Sequence, residues 1–384
     1  MLKVAIIGTG AIAPSHIQGY KEFSESCEIV ALCDIYPEKA EKAAREYDLN
    51  VNIYDDHQKL LASEDVDLVS VCTPPYTHAE ISINSLDAGV HVIVEKPMAS
   101  SLEECDAMNE AAKKSGKLLS VIAQNRFRTS MMKLKQVLDT ELMGPIVHTQ
   151  VDSFWWRGYS YYDLWWRGTW EKEGGGCTLN HAVHHIDILQ WMKGMPSEIT
   201  AVTSNTAHDN AEVEDISIAI GKYEDGSLAQ ITSSVVHHGE EQQLIFQGKN
   251  ARVSAPWKVT ASKSKENGFP EGDLELEEKL QKVYGELAEV EYEGHPGQIQ
   301  DVLLAIQGKK ELLVDGQQGR QTLELITAIY QAASLKGTVK LPLTEEGPFY
   351  TREGSLKNAT YFFEKKNSVS NFSDTTITTG SDKN

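Results

Sequence analysis

Three polar side chains stand at helical spacing after a glycine-rich stretch and could transfer a proton. Asn180 and His184 are four positions apart, which places them on one face of a predicted helix that runs to Trp191, and Asp187 lies near the same side. The helix follows three consecutive glycines at 174–176, which do not belong inside a regular element. An amide, an imidazole and a carboxylate at this helix entrance could place a proton-transfer group in a cleft.

The same helix allows two other interpretations. Most histidines on amphipathic helices pack against neighbours or face solvent. His184 is a catalytic candidate only because of other motifs elsewhere in the chain. His181 and His185, also four apart, have the spacing of a metal-binding pair. Because no glutamate completes a zinc-protease motif and no third ligand is indicated, we predict no metal.

A dinucleotide-binding pattern stands at the start of the chain. The apolar run 4–7 leads into GTGAIA, in which Gly8 permits a tight turn, Gly10 lets a pyrophosphate approach the backbone, and Ala13 allows close helix packing. Asp34 follows 21 residues after Ala13, at the end of a second apolar run, where a carboxylate binds the ribose hydroxyls of NAD. No Arg or Lys follows it directly to compensate a 2′-phosphate, so we predict NAD rather than NADP.

Strand and helix patterns then alternate as far as residue 123, which predicts a parallel, doubly wound sheet with its ligand at the carboxyl ends of the strands. Lys96, between Glu95 and a proline, stands at one such end. A lysine there could bind phosphate, form a surface ion pair, or polarise a substrate hydroxyl.

Nine aromatic residues crowd the stretch 154–170, just before the candidate helix. Flat rings with polar tips suit the carbon faces of sugars, although we expect at least half of these rings to serve domain packing. Tyr161, Tyr162 and Arg167 are the preferred substrate contacts. Later segments alternate apolar and polar residues and predict an antiparallel sheet, with 258–268 as a polar loop.

The composition excludes several classes of partner. A formal net charge of -20 disfavours nucleic acid and anionic membranes, and five scattered cysteines suit a reducing cytosol. The N-terminus shows no signal peptide and no apolar run has membrane-spanning length, so we predict a cytoplasmic protein. Length allows two domains, with a polar tail that cannot bury a core.

Together these motifs resemble the Gfo/Idh/MocA family, the relatives of glucose-fructose oxidoreductase and inositol dehydrogenase. The glycine turn, Glu95-Lys96-Pro97, the run 124–127 (QNRF) and the glycine-led helix with Asn180 and His184 occur in the family's order over nearly the whole chain, to about residue 343. The resemblance implies an α/β protein, with a Rossmann domain at 1–125, a domain with a large, open, mainly antiparallel sheet at 126–345, and a polar tail at 346–384. The outer face of that sheet commonly forms the family's homo-oligomer interface.

The resemblance also implies roles for individual residues. Lys96 and His184 correspond to the family's catalytic lysine and histidine, and Asn180 departs from the aspartate of many members. The predicted NAD contacts are Gly8, Thr9, Gly10, Ala11, Ile12, Asp34, Thr73, Pro74, His78, Glu95, Lys96, Gln124 and Asn125. The predicted substrate contacts are Lys96, Arg126, Tyr161, Tyr162, Trp166, Arg167, Asn180 and His184. His295 matches a family position near the substrate pocket, although a helix-entry role fits it equally well.

The predicted activity is hydride transfer between NAD and a ring carbinol of a pyranoside or related polyol, with carbon 3 as the expected position. A histidine with an ordinary pKa of about 6.5 can take the hydroxyl proton, while Lys96 stabilises the charge that develops on the oxygen. Two alternatives stay open: a glycosidase that retains NAD and oxidises the sugar transiently, and a non-catalytic NAD-binding regulator.

Overall fold

A computed structural model describes residues 1–370 and residue 372 of the chain. The chain divides into two compact units. The first comprises Met1–Phe127 and Glu291–Leu323, and the second comprises Arg128–Val290 with the described residues from Glu324 onward.

The first unit is built on a parallel sheet of six strands in the order β3-β2-β1-β4-β5-β6. These strands are β1 (Leu2–Ile7), β2 (Cys27–Cys33), β3 (Asn52–Tyr54), β4 (Leu68–Val71), β5 (His91–Val94) and β6 (Leu119–Val121). The order reverses beside β1, which is the doubly wound topology predicted from the alternating pattern. All four residues of β4 are buried, as a parallel strand covered on both faces requires.

The second unit contains a sheet of nine strands in the order β14-β13-β12-β11-β7-β10-β9-β8-β15. These strands are β7 (Ile146–Phe154), β8 (Glu198–Ser204), β9 (Ile216–Lys222), β10 (Leu228–Ser234), β11 (Gln242–Gly248), β12 (Ala251–Ala255), β13 (Lys258–Ser264), β14 (Pro270–Gly272) and β15 (Val339–Lys340). All neighbours pair antiparallel except β7 and β10. The predicted fold class is therefore confirmed.

Twelve α-helices connect or cover these strands in the described part of the chain. They are α1 (Ala13–Glu22), α2 (Pro37–Glu46), α3 (His57–Ser63), α4 (His78–Asp87), α5 (Leu102–Ser115), α6 (Thr129–Asp139), α7 (Cys177–Asn180), α8 (Val183–Lys193), α9 (Leu274–Glu286), α10 (Gly294–Ile306), α11 (Gly316–Leu335) and α12 (Arg352–Asn358). Short 3-10 helices occupy Pro75–Thr77, Gln124–Phe127 and Tyr159–Asp163.

The segment from Glu291 to Leu323 belongs with the first unit, although the sequence-based division placed all of 126–345 in the second domain. Hydrophobic packing explains the difference. Ile299 and Val302 of α10 are fully buried and share a core with Ile17 of α1. A Cβ at Gly19 would lie 2.5 Å from the Ile299 side chain, so this glycine lets the two helices approach closely.

Two further expectations differ from the structure. Residues 258–268 were expected to form a loop, but β13 is a strand whose side chains are mostly exposed, so apolar alternation could not reveal it. The tail predicted at 346–384 includes α12, which Thr351 caps by accepting a bond from the Gly354 amide at 3.0 Å, and the buried ring of Phe349. The remainder of that tail beyond Phe372 lies outside the described residues.

Candidate active site

The glycine turn of the first unit has the geometry that its sequence predicts. Gly8 has a φ of +94°, and a Cβ there would lie 2.7 Å from the Cys72 backbone. Gly10 has no atom within 4 Å of the position of a Cβ, which leaves its backbone open to a ligand. A turn closed at Gly8 and open at Gly10, followed directly by α1, fits a dinucleotide pyrophosphate.

Asp34 lies beside this turn and is joined to it by hydrogen bonds. Its Oδ2 accepts from the Thr9 amide and from the Thr9 hydroxyl, both at 2.9 Å, while Oδ1 accepts from the Tyr36 amide at 3.0 Å. The carboxylate follows β2 at the carboxyl end of the sheet and is only half-buried. The carboxylate is in a suitable position to bind a cofactor ribose, and the hydrogen bonds fix its position relative to the glycine turn.

Glu95 connects the catalytic candidate Lys96 to the interior of the first unit. Its Oε2 accepts from the Lys96 amide at 3.2 Å, and its Oε1 accepts from Nε2 of His16 at 3.0 Å and from Nε2 of His295 at 3.2 Å. Burial alone would raise the pKa of Glu95, but the two imidazoles outweigh it and hold the pKa well below its ordinary value. A buried carboxylate therefore fixes the backbone at the end of β5.

The hydrogen bonds to Glu95 belong to a network that continues into the buried interior of the first unit. Burial lowers the pKa of His16 and so favours its neutral form, in which a ring that donates to the Glu95 carboxylate carries its single proton on Nε2. Its Nδ1 then accepts from Ser70 Oγ at 3.1 Å, and Tyr20 donates to the same oxygen at 2.6 Å. Each of these buried polar groups has a partner. No local pattern in the sequence predicts this hydrogen-bond network.

His16, Glu95 and His295 also form the one cluster of described residues whose spacing could hold a metal ion, with ligand atoms within 4.8 Å of one another. In the structure both imidazoles point at a single Glu95 oxygen at hydrogen-bond distance. The hydrogen bonds account for this arrangement without an ion. The histidine pair that the sequence analysis considered as a metal site, His181 and His185, is a different one. His185 of that pair lies in the core and is hydrogen-bonded to Ser153 at 2.8 Å, and burial lowers its pKa to about 4.

Two residues of the first unit that are predicted to contact NAD or substrate have buried side chains, and each bonds to other parts of the protein. His78, a predicted NAD contact, lies between the carbonyls of Thr73 and Pro97, with its ring nitrogens 2.7 and 2.9 Å away. Arg126, a predicted substrate contact, is fully buried and donates to Gln318 at 2.8 Å. Each side chain has a partner within the protein, and the predicted contacts with NAD and substrate stay predictions.

The remaining predicted NAD contacts of the first unit follow the strand ends. Thr73 and Pro74 come after β4, and Gln124 and Asn125 open the 3-10 helix after β6. All four are at least partly accessible. The structure thus places them at the edge where a doubly wound sheet binds its ligand, and their contacts with NAD stay predictions.

In the second unit, the three glycines before α7 serve close packing. A Cβ at Gly175 would overlap the Tyr330 hydroxyl, and one at Gly176 would overlap the Glu214 backbone carbonyl. The buried Glu214 carboxylate accepts from the amides of Gly176 and Thr178 at 3.1 and 3.0 Å, and from the Tyr330 hydroxyl at 3.0 Å. This places a carboxylate at the amino end of α7, and no local sequence pattern predicts one there.

The predicted single helix at Asn180 and His184 is wrong in one respect. Asn180 ends α7, and His184 lies in the first turn of α8, with a break at residues 181–182. The Asn180 amide donates to the carbonyls of Gly175 and Gly176 at 3.0 and 3.2 Å. Asn180 therefore closes the glycine turn on itself, and His184, only half-buried, stands at the amino end of the longer helix.

The aromatic stretch holds one arginine between rings. The Arg167 guanidinium lies 4.2 Å from the ring centroids of both Tyr161 and Trp166 and donates to the Tyr161 hydroxyl and, at 3.1 Å, to Glu173. Burial raises the pKa of Glu173 to about 7, and Arg167 opposes that rise. Glu173 was not among the sequence candidates. Tyr162, which was among them, is buried, and its ring contacts those of Tyr161 and His208 edge-on; its predicted substrate contact stays a prediction.

A glycine turn that is open at Gly10 and a carboxylate at the end of β2 are the features of a dinucleotide-binding domain of the Rossmann class. The sequence pattern of the oxidoreductase family with an NAD-binding Rossmann fold, GFO_IDH_MocA, matches residues 2–123, and that of the family's C-terminal alpha/beta domain matches residues 135–341. The chain belongs to this family, which confirms the resemblance and the NAD cofactor.

Several characterised proteins resemble the chain over most of its length. It is 26% identical to the D-glucoside 3-dehydrogenase of Escherichia coli over 359 residues, 88% of this chain and 97% of that protein. It is 29% identical to the 2,7-anhydro-N-acetylneuraminate hydratase of Mediterraneibacter gnavus over 65% of this chain and 66% of that protein. The WlbA dehydrogenase of Bordetella pertussis, solved with NADH and UDP-GlcNAcA, is 28% identical with a TM-score of 0.76, over 89% of this chain and 98% of that one.

No helix in the described part of the chain combines the length and the apolar character that crossing a membrane would need. All five cysteines are described, and each is a buried, free thiol.

Proposed function

We propose that the protein oxidises or reduces one ring carbinol of a pyranoside or related polyol with NAD, with carbon 3 as the expected position. The observation that carries the proposal is the placement of Lys96 at the carboxyl end of β5, with its backbone held by Glu95, in the unit that bears the glycine turn. The similarity to a D-glucoside 3-dehydrogenase over nearly the whole chain supports the substrate class and the position.

The residues of the chain supply binding and proton transfer. Lys96 donates a hydrogen bond to the carbinol oxygen and stabilises the negative charge that develops there. His184 takes the hydroxyl proton during oxidation and returns it during reduction. Asn180 is uncharged and already holds two glycine carbonyls, so it shapes the turn near His184 without sharing the proton. Bound NAD accepts the hydride from the carbinol carbon.

The charges of the aromatic stretch favour a neutral sugar. Arg167 is paired with Glu173 at 3.1 Å, and Arg157 is paired with Glu240 at 2.5 Å. Glu240 compensates the charge of Arg157, and Glu173, whose pKa burial raises to about 7, compensates Arg167 in its ionised form, which disfavours an acidic sugar at pH above 7. The rings of Tyr161 and Trp166 offer apolar faces that suit the C–H side of a pyranose.

A substrate panel tests the proposal directly. The purified protein is incubated with NAD and with neutral glycosides, inositols and the corresponding uronic acids, and NADH is followed by absorbance. We expect stoichiometric NADH with a neutral glycoside or polyol, a 3-keto product by NMR, and weaker activity with the uronic acid. NAD binding without turnover on any sugar would contradict the proposal and favour a non-catalytic regulator.

A reaction with no net oxidation is the second candidate. One relative is named a hydratase, and adding water to a sugar changes no overall oxidation state. In this candidate Lys96 and His184 would serve a transient oxidation, and the cofactor would end each cycle unchanged. Glycoside cleavage or hydration without accumulated NADH would favour it, whereas NADH in proportion to product would exclude it.

Replacing Asp34 with alanine is expected to weaken NAD binding about tenfold or more and to reduce the preference for NAD over NADP. The carboxylate would no longer accept from the ribose hydroxyls or repel a 2′-phosphate. Dissociation constants for both cofactors, from the quenching of tryptophan fluorescence, provide the measurement. Asp55→Ala is the control, because Asp55 is an exposed aspartate of the same unit that pairs with Lys59. An unchanged NAD-to-NADP ratio in Asp34→Ala would contradict the assignment.

We also propose that the protein is a homo-oligomer, a dimer or tetramer, formed through the open face of the nine-stranded sheet. Val202, Ile218, Ile220 and Leu228 are exposed on β8, β9 and β10. The register pairs Val202 with Ile218, so these side chains lie on one face of the sheet. Exposed apolar side chains grouped in this way are typical of an interface.

Substituting Ile220 with lysine is expected to shift the protein to a smaller species in size-exclusion chromatography with light scattering, since an unpaired ammonium would be buried in the interface. Leu274→Lys is the control, because Leu274 is an exposed leucine of α9 and not of the sheet. An unchanged mass for Ile220→Lys would exclude this face. Partners such as nucleic acid or membrane are not expected, and the cytoplasmic location stays a prediction.

A further inference from the structure

The family's C-terminal match ends at residue 341, but the chain continues in an ordered form beyond it. After α12, residues 360–370 form a segment that we call the C-terminal strap. It lies against residues 159–168, which we call the aromatic loop. The Val369 amide donates to the Asp163 carbonyl at 2.8 Å, and the Trp165 amide donates to the Val369 carbonyl at 3.0 Å. The strap thus pairs with the loop as a short strand would.

Lys365 makes the central contact between the strap and the loop. Its ammonium donates to the carbonyls of Tyr162, Leu164 and Arg167, the last two at 2.8 and 2.7 Å. An ammonium has three donors, and here each has a backbone acceptor on the loop. Burial lowers the pKa of Lys365, against the effect of nearby carboxylates including Glu173. The three carbonyls lie along six residues, so one side chain fixes the path of the whole loop.

Three further hydrogen bonds connect the strap to the end of the loop and to the residues beside it. The Phe362 amide donates to the Glu212 carbonyl at 2.9 Å, and the Glu212 amide donates to the Gly168 carbonyl at 2.7 Å. The Trp170 indole donates to the Thr360 carbonyl at 3.1 Å. The strap is therefore anchored at its start, at Lys365 and at Val369.

We propose that the C-terminal strap is part of the substrate site and that Lys365 is a positioning residue for it. The aromatic loop carries Tyr161, Trp166 and Arg167, whose side chains stack on and bond to one another. With the loop fixed in advance, these side chains meet the sugar without an ordering cost at the time of binding. This inference rests on the proposed function, since it assigns the loop to sugar binding.

The substitution Lys365→Met tests the proposal, because it keeps the length of the side chain and removes its donors and charge. We expect KM for the best sugar of the panel to rise about tenfold, with kcat changed less than threefold and the NAD dissociation constant unchanged. Lys366→Met is the matched control. Lys366 is the next residue, with the same charge, and is half exposed in a pair with Asp209. It should leave all three constants unchanged.

Hydrogen–deuterium exchange without sugar separates the two proposals. Peptides covering residues 159–168 should exchange faster than in the wild type in Lys365→Met, and at the wild-type rate in Lys366→Met. This expectation holds whether or not any sugar is turned over. Faster exchange with an unchanged sugar KM would overturn the strap's role in the substrate site while leaving the dehydrogenase intact. Unchanged exchange would overturn the positioning role itself. Lack of sugar turnover in the wild type would contradict the proposed function and the assignment of the loop to sugar binding, while the exchange rates would still decide whether Lys365 positions the loop.

If Lys365→Met is poorly folded, a second pair of variants replaces it. A chain ending at Ala359 lacks the strap, whereas a chain ending at Ser370 keeps it and loses only the residues that follow. We expect the first to show the raised KM and faster loop exchange and the second to behave as the wild type. Equal behaviour of the two chains would overturn the proposal.

Discussion

Lys96→Met is expected to lower kcat for sugar oxidation by about 10²- to 10³-fold, the loss found when a donor to a developing oxyanion is removed. Methionine keeps the length and apolar stem of lysine, and the bond from the Lys96 amide to the Glu95 carboxylate is a backbone bond that the substitution leaves in place. The substitution should therefore remove the ammonium without disturbing the end of β5. NAD affinity should change little.

Steady-state kinetics and an NAD titration of the same preparation provide the measurement. Lys113→Met serves as the control, because Lys113 is a solvent-exposed lysine of the same unit on α5. A kcat within threefold of the wild type would remove Lys96 from the reaction. A loss of NAD binding equal to the loss of kcat would instead assign Lys96 to the cofactor, one of the roles that its position left open.

The first unit could be predicted closely from sequence because its signals are local. Gly8, Gly10 and Asp34 act within 27 residues of one another, and the buried parallel strands appear as short apolar runs. The turn, the order of β1 to β6 and the position of Lys96 follow from those runs and from the topology they impose.

The parts that the sequence did not reveal depend on distant residues. The amino end of α7 is held by Glu214 and Tyr330, which lie 36 and 151 positions away from their amide partners Thr178 and Leu179. No periodicity reports such contacts. The same holds for Glu95 and His295, which are 200 positions apart, and for α10, whose apolar face fits the first unit although it follows the second along the chain.

The break between α7 and α8 was missed for a different reason. Seven of the eleven residues of α8 are buried, and they include the polar residues His185, Asp187 and Gln190 as well as apolar ones. A helix that is buried on several sides has no exposed polar face, so its sequence shows no clear amphipathic pattern. The sequence therefore could not show that one helix stops at Asn180 and another starts after Ala182. The spacing argument for Asn180 and His184 consequently loses its geometric basis, while the family correspondence of His184 does not depend on it.

His184→Ala is expected to lower kcat by about 10²- to 10⁴-fold, the range found when a general base is removed. The acid-side fall of kcat/KM that a histidine base produces should disappear with it. His185→Asn is the control, because His185 is a core residue on the same helix that bonds to Ser153. It should lower the melting temperature and leave the pH profile in place. An unaltered profile in His184→Ala would remove His184 from proton transfer.

Combining the two substitutions tests whether both groups act on the same step. If Lys96 donates to the oxygen from which His184 takes the proton, the double variant should lose little more activity than the more damaged single variant, since groups that act as a unit give non-additive losses. Losses that multiply would mean that the residues serve separate steps. Non-additive losses would therefore assign Lys96 and His184 to the same proton-transfer step.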